Sequence, residues 1–162
     1  MKILITGSNG MLGFDLKEVL SDKHELILTT SKTLDITDKN HTLEFILSQK
    51  PDIVINSAAY TDVDGCEENK QHAYDVNAEG VRNLALACKQ SGSVLVHIST
   101  DYVFNGKNDR PWVEDDKTGP ISVYGKTKLE GEQAIKEILD EYFIIRTAWL
   151  YGYIGNNFVY TM

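Results

Sequence analysis

The sequence predicts an α/β fold built on a doubly wound parallel sheet, and three observations carry that prediction. Five short, apolar, β-favouring runs alternate with stretches of helical periodicity. The first run, Ile3-Leu4-Ile5, breaks into a Gly7-x-x-Gly10-x-x-Gly13 turn and reopens as a helix. No linker or internal repeat interrupts the alternation over 162 residues, a length that suits one domain with a core of its own. Such alternation implies right-handed crossovers, and the expected strand order is 3-2-1-4-5.

In the glycine stretch, Gly7 permits the tight turn, Gly10 lets backbone approach a ligand, and Gly13 lets the helix pack on the strand. A helix opening here aims free N–H groups and its positive dipole end at the turn, which suits a pyrophosphate. Met11, Leu12, Leu16, Val19 and Leu20 then recur at helical spacing, and Glu25–Thr29 reads as the second strand. Past that strand a dinucleotide fold reads the adenosine ribose, with an acid for NAD or a base for NADP. Thr30, Ser31 and Lys32 stand there with no acid, so Lys32 leans the choice to NADPH, an exposed surface lysine being the alternative. Thr37 or Asp38 caps a helix carrying Leu43, Ile46 and Leu47, and Asp35 is placed to contact an adenine.

Pro51–Asn56 gives the third strand and 57–64 a loop of small residues at its carboxyl end, which leaves room for a ligand. A long helix is expected from Asn69 to Ser91, with Asn77 either solvated or contacting a loop. Ser93–Ser99 is the fourth strand. The polar stretch 105–120 is expected to fold over a site. Tyr124 opens the next helix, and Tyr142–Thr147 is the fifth strand. The run from Asn156 to Met162 reads as a capped helix with no stop signal, so the chain is expected to be part of something longer.

Tyr124 and Lys128 lie one turn apart on one helical face, about 6 Å along the axis. An ammonium there favours the phenolate and is expected to lower the tyrosine pKa from about 10 towards working pH, as carbonyl reduction requires of its acid. Thr100, at the end of the fourth strand, is placed to hydrogen-bond the same substrate oxygen. A glycine turn, a strand-end hydroxyl and Y-x-x-x-K follow in the order a nicotinamide reductase needs.

At these residues the chain resembles the extended short-chain dehydrogenase/reductases, and within them the dTDP-4-dehydrorhamnose reductase family. The resemblance covers essentially all 162 residues. It is most specific at Asn56-Ser-Ala-Ala-Tyr-Thr-Asp-Val-Asp64, Ser99-Thr-Asp-Tyr-Val-Phe104, Val123-Tyr-Gly-Lys-Thr-Lys-Leu-Glu-Gly-Glu132 and Arg146-Thr-Ala-Trp-Leu-Tyr-Gly152. Related dehydratases usually carry an acid where Tyr102 stands, so Thr100-Asp101-Tyr102 fits a reductase. The resemblance implies a Rossmann-like NAD(P)-binding domain over residues 1–162, truncated before the end of the sheet and without the substrate domain.

By that resemblance NADPH or NADH delivers hydride to the C4 ketone of dTDP-4-dehydro-L-rhamnose, in deoxysugar synthesis for surface polysaccharide. Thr100, Tyr124 and Lys128 are its catalytic residues; Tyr124 gives the proton, and Lys128 also holds the nicotinamide ribose. Gly7, Asn9, Gly10, Met11 and Leu12 wrap the pyrophosphate, Asp35 and Ile36 flank the adenine, and Ala58, Ala59 and Tyr60 line the cofactor. Thr61, Val63, Thr100, Tyr102 and Trp149 fall where the family touches the sugar, although Val63 and Trp149 also suit a core. Some members form a homodimer through magnesium and an early glutamate; Asp15 stands there, and no metal is expected. Two other readings stay open: a non-catalytic binding subunit, like the regulatory subunit of methionine adenosyltransferase, and a nucleotide-sugar epimerase or dehydratase.

The net charge of −8, with no basic cluster, argues against nucleic acid or an acidic membrane as partner. No run approaches the ~20 apolar residues of a membrane span and no signal-peptide pattern opens the chain, so a cytoplasmic protein is expected. Cys66 and Cys88 lack metal-ligand spacing and read as free thiols, Cys88 as core filling. His24, His41, His72 and His97 read as structural.

Overall fold

The structure, a computed structural model, describes residues 1–155 and 157–162. Asn156, the first residue of the expected terminal helix, lies outside the described residues. Five parallel strands form one sheet: β1 (Lys2–Thr6), β2 (Glu25–Leu28), β3 (Ile53–Asn56), β4 (Val94–Thr100) and β5 (Tyr142–Thr147). The helices are α1 (Met11–Leu20), α2 (Lys39–Gln49), α3 (Val63–Glu68), α4 (Lys70–Tyr74), α5 (Gly80–Ser91), α6 (Val123–Ile138) and α7 (Phe158–Thr161).

The strand order is β2-β1-β3-β4-β5, not the expected 3-2-1-4-5. The third strand lies on the free edge of β1 rather than beyond β2, and polar groups at both ends hold it there. Asp52 accepts from the Lys2 amide at 2.7 Å and returns its own amide to the Lys2 carbonyl at 2.8 Å. At the other end the Thr6 hydroxyl donates to Asn56 Oδ1 at 2.6 Å. With Glu25 and Leu28 exposed, β2 is an edge strand and offers no apolar flank to a further neighbour. The order reverses at β1, so right-handed crossovers carry the chain away from β1 in opposite senses and leave a crevice outside the ends of β1 and β3.

Registered rows of side chains build the core. Leu4, Val54, Leu95 and Tyr142 form one row across the sheet, and Ile46, Val81, Leu84 and Ile135 from α2, α5 and α6 pack on it. Leu34 and Ile36, from the loop before α2, plug the same core. The row above is polar: Thr6, Asn56 and His97. Residues on the opposite face of β5 are open, Phe143 at 63% and Ile145 at 48% exposure.

The expected long helix is broken. α3 occupies the end of the stretch read as a loop, and Asp75–Glu79 is a π-helical turn between α4 and α5. Its wider turn carries Asn77 to the loop after β3, where the side chain accepts from the Tyr60 amide and donates to its carbonyl, both at 2.9 Å. The stretch 105–120 does not cover the cleft. Trp112 stacks on Phe104 with centroids 4.4 Å apart, and Arg110 pairs with Asp116, so the loop folds onto itself. At the end of the chain, Asn157 caps α7 by accepting from the Val159 amide at 3.1 Å.

Candidate active site

The crevice between β1 and β3 opens into two adjoining cavities that share Gly10, Ser57 and Ala59. The smaller, about 500 Å³, is lined by Gly7, Asn9, Gly10, Asp35, Ile36, Ala58, Ala59 and Tyr60. The larger, about 690 Å³, is lined by Met11, Leu12, Thr61, Val63, Thr100, Tyr102, Tyr124, Lys128 and Trp149. Residues scattered over nearly the whole chain thus share one crevice.

Backbone geometry makes the floor. Gly7 sits at φ +63°, where a Cβ would meet the Ala58 backbone at 2.9 Å. A Cβ on Gly13 would run into the Gly7 carbonyl and meet Ser8 Cα at 2.6 Å, so α1 lies directly on the turn. Gly10 is the N-cap of α1; among the described residues no side chain caps the helix, and its first turn holds no acid. The first residues of α1 line the crevice, with the positive dipole end of the helix behind them. This cradle fits the diphosphate of a dinucleotide.

Around the smaller cavity, Ser31 contributes to the wall, whereas Lys32 is exposed and does not line it. Asp35 Oδ1 accepts from the Thr37 amide at 3.0 Å and hydroxyl at 2.8 Å. His72, expected to be structural, lines this cavity and meets the Tyr60 ring edge-on at 4.9 Å.

The trio is assembled by the sheet and α6. Thr100 ends β4, with its hydroxyl donating to Asp101 Oδ1 at 3.1 Å and accepting from the Tyr102 amide at 3.2 Å. Ser122 caps α6 by accepting from the Gly125 amide, and Glu67 of α3 accepts from the Val123 amide at 2.8 Å. A Cβ on Gly125 would strike the Tyr102 carbonyl, so α6 starts tightly against the turn after β4. Tyr124 in that first turn meets Tyr102 edge-on at 5.5 Å.

The electrostatics correct one expectation. Burial pushes the Tyr124 phenol up, and a hydrogen bond with the Thr100 hydroxyl works the other way. The Lys128 Nζ donates to the Ile98 carbonyl at 2.7 Å. Burial brings Lys128 itself down to about 8, opposed by the Glu132 carboxylate. His97 is held neutral by burial and by Lys128. Asn56 Oδ1 accepts from the Ala58 amide, so its Nδ2 faces His97 Nδ1 and the ring proton lies on Nε2.

Sequence reasoning missed the buried pair behind the trio. Glu132, fully buried on α6, accepts from Arg146 Nε at 2.9 Å and Nη2 at 2.6 Å. The readable signal was an acid one turn beyond Lys128, on the inward face of the helix. Cys66 and Cys88 are free and buried. Among the described residues, no cluster of three His, Cys, Asp or Glu side chains is placed to hold a metal, and no helix is long and apolar enough to cross a membrane.

Known proteins resemble this chain in sequence and fold. The dTDP-4-dehydrorhamnose reductase of Mycolicibacterium smegmatis is 45% identical over 164 residues, covering 99% of this chain and 50% of that protein. The crystal structure of the Clostridium acetobutylicum reductase superposes with a TM-score of 0.97 at 51% identity, over 99% of this chain and 57% of that one. The Bacillus anthracis reductase in complex with NADP gives 0.96 at 44%, with the same coverage. This chain spans about half the length of the curated relatives it matches. The family described as RmlD substrate binding domain matches residues 1–162 throughout, and the chain belongs to that family.

Proposed function

We propose that residues 1–162 are the dinucleotide-binding domain of an NAD(P)H-dependent dTDP-4-dehydrorhamnose reductase. The observation that carries this reading is the uncapped α1 terminus over the glycine cradle, opening into the same crevice as Thr100, Tyr124 and Lys128. The complex of the Bacillus anthracis relative with NADP supports the choice of cofactor.

In this reading Gly7, Asn9, Gly10, Met11 and Leu12 hold the diphosphate, Asp35 and Ile36 flank the adenine, and Ala58, Ala59 and Tyr60 line the cofactor. Bound there, the nicotinamide would supply hydride for the C4 carbon of the sugar ketone. Tyr124, kept protonated by burial, gives its proton to the oxygen as it gains charge. The Thr100 hydroxyl turns from Asp101 Oδ1 to donate a hydrogen bond to that oxygen, and Lys128 holds the nicotinamide ribose and supplies positive charge beside the phenol once it has given up its proton. Thr61, Val63, Tyr102 and Trp149 contact the sugar nucleotide.

Calorimetric titration with NADPH and NADH tests the cofactor assignment, with Gly10→Val as control, since a side chain there enters the diphosphate path. Micromolar binding that the substitution abolishes is expected. Absence of binding to either dinucleotide by the folded parent chain overturns the reading.

A further inference from the structure

We propose that Glu132 is a positioning residue for the trio: its buried carboxylate, held by Ser99 and Arg146, locks α6 to the carboxyl ends of β4 and β5 and keeps Lys128 charged. The inference rests on the proposed roles of Thr100, Tyr124 and Lys128 and extends them by one residue.

The geometry is a three-element clamp. Glu132 Oε1 accepts from the Ser99 hydroxyl at 2.6 Å, and Ser99 immediately precedes Thr100. The same oxygen and Oε2 take the guanidinium of Arg146, which immediately precedes Thr147 in the cavity wall. Arg146 is itself held, with its guanidinium 5.0 Å from the Phe104 ring centroid and Nη1 donating to the Glu114 carbonyl at 3.2 Å. Lys128 lies one turn earlier on α6, and both side chains are buried. Tyr124, Lys128 and Glu132 share one helix, so a rotation or slide of α6 that moves the first two relative to Thr100 also breaks these carboxylate bonds.

Among the described residues, the titratable groups around Lys128 are few. His97 faces it from β4 and is neutral, Tyr124 and Glu132 share its helix, and Arg146 of β5 is bonded to Glu132. Asp101, after β4, acts on Tyr124. Glu132 is thus the anion that offsets the burial of the lysine. A purely structural pair would be replaceable by neutral side chains without moving the Lys128 titration.

The test is NMR titration of the Lys128 side chain in carbon-13-lysine-labelled protein, assigned with Lys128→Met. Glu132→Gln is compared with the double variant Glu132→Gln/Arg146→Met, which removes both charges together and leaves no buried ion unpaired. A midpoint near 8 in the parent, falling by about one unit or more in either folded variant, supports the proposal. NADPH affinity at pH 8 is then expected to drop roughly fivefold, following the loss of charged lysine. An unchanged midpoint in a folded variant overturns it, whatever the melting temperature does. The midpoint needs no cofactor, so a parent that binds no NADPH refutes the proposed function and leaves this result readable.

Discussion

Replacing Gly13 by alanine tests the central geometric argument. The new Cβ would run into the Gly7 carbonyl and lie 2.6 Å from Ser8 Cα, inside the 3.0 Å that Cβ contacts keep. The obstacle is backbone on one side and the body of α1 on the other, so no rotamer change relieves it. Overpacking of this kind costs about 1–3 kcal/mol, and the upper end applies because the turn itself must shift. Alanine returns about 1 kcal/mol through helix propensity. The net loss of about 2 kcal/mol corresponds to a melting temperature lower by roughly 4–8 °C at this chain length. The displaced turn also withdraws a diphosphate contact, and losing one charge-assisted hydrogen bond weakens NADPH binding about tenfold or more. Gly92→Ala is the control: Gly92 has φ +74° with nothing within 4 Å of the added carbon. It should cost about 1–2 kcal/mol from left-handed backbone alone and leave NADPH affinity unchanged. Calorimetry and thermal melts on both variants decide. A Gly13→Ala protein that melts with the parent and binds NADPH equally would refute the close-packing argument.

Two further outcomes follow from buried polar groups. Asn77→Ala removes both hydrogen bonds to the Tyr60 backbone and one of 3.3 Å to the Thr127 hydroxyl, so a loss of about 1–3 kcal/mol is expected in urea unfolding, together with weaker NADPH binding. Unchanged urea stability would sink that account. Lys128 titrates near 8 in the folded chain against 10.5 unfolded, so the unfolded state binds more protons between those values and stability should climb as pH rises through them. Below pH 8 the charged lysine destabilises the fold by up to about 3 kcal/mol. Urea midpoints from pH 7 to 10 should therefore climb in the parent relative to Lys128→Met, and parallel profiles would refute the buried charge.

The strand–turn–helix at the amino end was legible because each of its parts is local. Apolar residues in succession, glycines three apart and a 3.6-residue period all act within a few residues of one another. That Thr100, Tyr124 and Lys128 meet in one cavity wall was legible for a similar reason: Tyr124 and Lys128 share one helical face, and Thr100 ends a strand. The π-helical turn at Asp75–Glu79 was not legible, since it reflects close packing of Gly80 against Ile36 and of Gly131 against the Asn77 carbonyl. The polar stretch 105–120 was misjudged because its partner, the Phe104 ring under Trp112, offered no periodic signal.

By itself, then, the sequence determined the five strands, the helices α1, α2 and α6, the glycine turn, and which residues carry an acid, a cation and a hydroxyl. Only the tertiary structure decided that β3 pairs with β1, which puts the crevice between them. It also decided that Lys128 turns to the Ile98 carbonyl and that Glu132 is buried against Ser99 and Arg146. The physical reason is range. Helix and turn formation depend on neighbours along the chain, whereas strand partners and the charge state of a buried group depend on which distant residues exclude water from it.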